Sequence, residues 1–110
     1  MQIHKLENFI GGWIIGDFEP SLVRTTAVEA GLKIHRRDEA IERHFHRDTT
    51  EYNILVAGEM IINGIHLKPE DVFVVAPSEC VHVEVLTKDA KVMVIKMPSK
   101  PGDKFPCEHS

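Results

Sequence analysis

The chain is poor in several features that would narrow its function. It has two cysteines, Cys80 and Cys107, too few for a disulfide scaffold. That count predicts reduced thiols and a cytoplasmic setting. Basic residues are not in excess: 13 Lys and Arg stand against 17 Asp and Glu, a net charge of −4. Without a basic face, nucleic acid is not an expected partner. No apolar run approaches the roughly 18–20 residues a membrane helix needs, so no membrane partner is expected. The N-terminus lacks a cationic start leading into an apolar stretch, so no secretory signal is predicted. Aromatics are also sparse, at one Trp, one Tyr and five Phe. An apolar share of 43% is nevertheless that of a folded protein. A chain of 110 residues suits one domain. The expectation is a single unit over 1–110, with a core at about 25–98, an N-terminal strand segment and an extended C-terminal arm.

Short β-branched runs separated by turns predict an all-β fold, a sandwich, jelly roll or small barrel. The runs are Tyr52–Val56, Val72–Val75, Val81–Leu86 and Val92–Met97. Val28–His35 alternates apolar and polar residues with period two, as a half-buried strand does. Asn63-Gly64, between two apolar triplets, is a strong hairpin signal because a type I′ turn needs positive φ at both central residues. Ala57–Glu59, Lys68–Asp71 and Thr87–Ala90 read as further turns. Arg37–Arg43 has one large apolar residue and no face to bury, so it reads as a turn rather than a helix.

Histidine is abundant. The chain has seven, and His44-Phe45-His46 puts two imidazoles on one face of a strand. Glu51 follows a short connection, bringing a carboxylate onto a neighbouring antiparallel strand. Two imidazoles and a carboxylate on a rigid sheet make a facial metal site with open positions. Chance predicts roughly 0.4 His-x-His pairs here, and requiring Glu51 and Gly58 at their offsets lowers this to about 0.003. His82 is the candidate fourth ligand, and Phe45 is expected to pack behind the site.

His44, His46, Glu51 and Gly58 resemble the first motif of the cupins, with Asp38 where that motif opens on glycine. Asp71, Pro77 and His82 resemble the second, with Glu70 and Glu79 at its glycines, Leu86 at its closing asparagine and one extra residue before Pro77. The flanks, Gly12–Ser21 and Lys96–Phe105, resemble a group of small single-domain cupins, some of them in nucleotide-sugar or surface-polysaccharide pathways. The resemblance implies a double-stranded β-helix or jelly-roll barrel, one metal ion inside it, and a homodimer.

The combined reading is a small mononuclear metal-binding cupin acting on a small polar molecule, sugar-like or keto-acid-like. Three imidazoles and one carboxylate suit Fe²⁺, Mn²⁺, Ni²⁺ or Zn²⁺. Isomerase, lyase, epimerase-like and dioxygenase chemistry all remain open. Glu84, Glu42 and Cys80 are the candidate acid or base groups, because each shares a face with a ligand at a two-residue offset. The competing reading is a non-catalytic module that binds or senses a carbohydrate or nucleotide sugar. His4, His35, His66 and His109 lack partners at ligand spacing and are expected at the surface. The apolar stretch Phe9–Phe18, or a neighbouring sheet, is the expected dimer interface.

Overall fold

A computed structural model describes residues 1–107. One 3₁₀ turn, Leu6–Asn8, precedes ten strands: β1 (Trp13–Ile15), β2 (Glu29–Arg36), β3 (His44–Phe45), β4 (Thr50–Ala57) and β5 (Met60–Ile62) come first. β6 (Ile65–Leu67), β7 (Val72–Val75), β8 (Val83–Val85), β9 (Asp89–Met97) and β10 (Phe105–Pro106) complete the set. They form a five-stranded sheet ordered β1-β2-β9-β4-β7, a three-stranded sheet β6-β5-β8, and the pair β10-β3. The expected all-β jelly roll is present. Turn chemistry sets its corners. Asn63 and Gly64 have φ of 50° and 81°, the type I′ signature between β5 and β6. Gly58 has φ of 83°, and a Cβ there would lie 2.3 Å from the Asp89 carbonyl oxygen, so only glycine fits that corner. The expected turn at Thr87–Ala90 is shorter than the sequence suggested, because Asp89 and Ala90 already pair with Arg36 and His35 on β2.

Leu55, Val92 and Val94 of the large sheet meet Met60, Ile62 and Val85 of the small one in a buried cluster. The strand parity runs opposite to simple expectation. On β2 the polar set (Glu29, Lys33, His35) faces inward, and Ile34 is exposed. On β4, Asn53 and Leu55 are buried while Tyr52, Ile54 and Val56 are exposed. A barrel whose wall lines a polar cavity must put its spare apolar face outside.

Beyond Pro98 the arm folds back over the barrel, where β10 pairs with β3. The Asp103 carboxylate accepts hydrogen bonds from the backbone N–H of Arg47, Asp48 and Thr49 at 2.9–3.0 Å. Burial works to raise its pKa, but these donors outweigh it and hold the carboxyl below its ordinary range. Phe105 stacks on Phe45 with ring centroids 5.6 Å apart. Cys107 forms a disulfide with Cys80, closing the arm onto the loop before β8. The expectation of two free thiols is thereby corrected: sequence separation hid a contact that the path of the arm creates.

Candidate metal centre

His44 lies on β3 and His46 just after it, and both side chains line the barrel interior together with Glu51 at the start of β4. Each imidazole is oriented by a backbone carbonyl. His44 Nδ1 donates to the Glu42 oxygen at 2.9 Å, and His46 Nδ1 donates to the Asp103 oxygen at 2.5 Å. A carbonyl only accepts, so the proton sits on Nδ1 in both rings and each Nε2 is left for another partner. His46 Nε2 lies 3.1 Å from Glu51 Oε2. With Nδ1 protonated, a neutral His46 presents a lone pair to a carboxylate oxygen. Two acceptors at this distance need a cation between or beside them, either a second ring proton or a metal ion. Two ligand atoms about 2.1 Å from one ion, near a right angle, are themselves about 3 Å apart. The donor types and this spacing fit a divalent ion. Among the described residues, however, no group of three such side chains already converges on one point.

Glu29, Lys96 and Glu51 form a cross-strand row on β2, β9 and β4. Lys96 Nζ lies 3.9 Å from a carboxylate oxygen of each acid. Burial pushes the Glu51 pKa up. A hydrogen bond from His46, when its ring carries a second proton, and the Lys96 charge outweigh it and hold the carboxyl below its ordinary range, so Glu51 is an anion at neutral pH. His44 is lowered chiefly by burial, which favours the neutral ring a metal requires. Lys33 also opens on the cavity, its pKa lowered by burial and then by Lys96 and Lys104.

The fourth expected ligand is elsewhere. Val81 bridges His44, and Val81 and Val85 are buried, so the alternate residues His82 and Glu84 face solvent. The His82 backbone N–H donates to Asn63 Oδ1 at 2.8 Å, which locks this parity. Sequence spacing was one residue out of phase, and a one-residue slip moves every side chain to the other face. Glu84 is therefore not a cavity acid. Cys80 is bonded to Cys107, so it is neither a free thiol nor a buried small residue. Glu42 is exposed and contributes its carbonyl rather than its carboxylate. His4 and His66 are at the surface as expected, and His109 lies outside the described residues. His35 contradicts its expected surface position by lining the cavity, where burial lowers its pKa. The polar face of β2, and Lys96 and Lys104, were not singled out from the sequence. The recurrence of Glu29, Lys33 and His35 on one strand face was the signal that marked them.

The fold and the pairing of His44 and His46 on its inner wall invite comparison with solved structures. A double-stranded β-helix protein from Klebsiella pneumoniae superposes with a TM-score of 0.69 at 16% identity, over 98% of this chain and 93% of that one. The fold is that of the cupins, a description carried by other structures with which the chain superposes. KdgF from Halomonas sp. matches with a TM-score of 0.61 at 21% identity, over 69% of this chain and 74% of that one. The DMSP lyase DddQ from Ruegeria pomeroyi gives 0.70 at 14% identity, covering 94% of this chain but 56% of the lyase. At these identities the likeness establishes the fold. No family model matches the sequence, and no curated protein matches it at a significant level. No helix among the described residues is long and apolar enough to cross a membrane.

Proposed function

We propose that the protein binds one divalent transition ion through His44, His46 and Glu51, and uses it to hold or transform a small polar molecule inside the barrel. The observation that supports this reading is the facing pair His46 Nε2 and Glu51 Oε2, 3.1 Å apart, which a second ring proton or a divalent ion must bridge. Three protein ligands leave one open position on a tetrahedral ion and three on an octahedral one, for water or ligand. A bound Fe²⁺, Mn²⁺, Ni²⁺ or Zn²⁺ would act as a Lewis acid there. The chain's own part is to fix both imidazoles by their Nδ1 protons, keep Glu51 ionised, and offer His35 as a neutral base on the cavity wall. The enzyme reading is supported by the fold likeness to DddQ, whose name records lyase activity. The non-catalytic alternative keeps the same ion and ligand without a proton shuttle. Elemental analysis and metal titration test the ion. One equivalent per chain is expected, and absence of both resident and titratable metal contradicts the proposal. His35→Ala separates the two readings: a catalyst loses turnover while retaining ligand binding.

A homodimer belongs to this proposal. The exposed side chains of the large sheet are contiguous: Tyr52 is opposite Val74 and Ile95, and Ile54 is opposite Val72 and Met93. With Ile34, Val56 and Met97 they make a broad exposed apolar face on the outside of the sheet. This face is a better interface than Phe9–Phe18, whose Trp13 packs against the core. A second copy of the chain, related by a two-fold axis, is the proposed occupant. Sedimentation should give a dimer that Ile54→Lys dissociates; a monomeric parent contradicts it. The Cys80–Cys107 bridge removes the free thiols from which a cytoplasmic setting was expected, and it favours an oxidising compartment.

A further inference from the structure

Lys33, Lys96 and Lys104 open on the same cavity as His44, His46 and Glu51. Their compensation is incomplete. Lys96 sits between Glu29 and Glu51, at 3.9 Å from each. Lys33 Nζ donates to the Gly11 carbonyl at 2.9 Å and lies 5.3 Å from the Trp13 ring centre. Among the described residues, neither Lys33 nor Lys104 has a carboxylate at ion-pair distance. The acids nearby are already engaged. Glu29 accepts from Ser99 Oγ at 2.9 Å, Asp103 accepts three backbone N–H groups, and Glu19 pairs with Arg24 at 3.5 Å. Of the charged side chains that line this cavity, three are lysines and one, Glu51, is a carboxylate.

A second cavity of about 380 Å³ shares His46, Lys96 and Lys104 with the first and adds Ile10, Trp13 and Phe18. Its charged lining is mixed, with Lys96, Lys100 and Lys104 beside Glu19, Glu29 and Asp103.

We infer that the ligand of this barrel is a small organic anion whose carboxylate or phosphate group sits among Lys33, Lys96 and Lys104, with its apolar part against Trp13 and Phe18. The inference rests on reading the barrel interior as the ligand site. Ammonium groups are point charges that accept planar and tetrahedral oxyanions alike, so both chemistries enter the test. Trp13 is the single tryptophan, and its ring lies 5.3 Å from Lys33 Nζ and 4.8 Å from Lys96 Nζ, so its fluorescence reports on the lysines. The full chain, as purified and after chelator treatment, is titrated with inorganic phosphate, with malonate and with neutral malonamide. A saturable fluorescence change with phosphate or malonate is expected in both preparations, and none with malonamide. The tighter of the two anions marks a phosphorylated or a carboxylated ligand. Lys33→Gln and Lys104→Gln should each weaken the anion at least fivefold. Lys104 is exposed, so its variant should fold even if the Lys33 variant does not. Equal binding of malonamide, no saturable binding, or variants that bind like the parent would overturn the inference. Metal uptake is measured on the same samples by chelator competition. Anion binding without metal uptake removes the ion from the account and supports the lysine site.

Discussion

The two histidine-bearing segments of this barrel behave differently although they are adjacent. His44 and His46 project inward with Glu51, whereas His82, one residue beyond the Val81 that bridges His44, projects into solvent. Both segments have the residue types of a ligand. Only parity distinguishes them, and parity is fixed by distant contacts: the Asn63 side chain at the His82 N–H, and the Asp103 carbonyl at His46 Nδ1. A motif that depends on a two-residue offset within one strand is robust to such contacts. One that must keep phase across a loop and a turn is not.

The largest effect that would sharpen this contrast is expected at His46, which is 2% exposed. His46→Ala should weaken metal binding by 100-fold or more. It should also destabilise the fold by about 1–3 kcal/mol, because the Asp103 carbonyl and the Glu51 carboxylate lose their partner. Near-parental metal affinity in this variant, read by chelator competition, would break the distinction. Glu51→Gln keeps the shape but removes the charge, and a weakening of at least tenfold is expected.

The arm comes next. The Cys80–Cys107 bridge closes 27 residues of chain, which by loop-closure entropy stabilises the fold by about 3.5 kcal/mol. Cys107→Ser should lower the unfolding midpoint accordingly and loosen the Asp103 support of His46. An unchanged midpoint in denaturant titration would show that the arm is held by β10 and Asp103 alone.

A smaller effect is expected from acid. The folded pKa of His44 lies below the reference value of 6.5, so the neutral ring adds stability that is fully present above that value and lost as pH falls through the folded one. Glu51, also lowered, adds stability above 4.5 that is lost as pH falls through its folded value. Metal affinity should begin to fall below about pH 6.5, where protons compete for imidazole. An affinity that rises on acidification contradicts these assignments.

Much of the barrel was legible in the residues. The runs at Tyr52–Val56 and Val72–Val75 and the Asn63-Gly64 turn announce strands and a hairpin through β-branching and positive φ, which are local properties. Phe45 was expected behind the site, and it packs there on Phe105. What could not be read locally was which face of β2 and β4 is inside. Alternation fixes two faces but does not name the buried one when the cavity itself is polar. For the same reason Lys33, His35 and Lys96 were passed over. The Cys80–Cys107 contact needed the return path of the arm, which no spacing rule encodes.

The measurement that tests the central claim most directly compares metal affinity in His82→Ala and His44→Ala, made in parallel. His82→Ala should bind like the parent, within about twofold, because its side chain lies outside the cavity, while His44→Ala should bind at least tenfold more weakly. A loss on His82→Ala as large as that on His44→Ala would place His82 in the barrel and contradict the account.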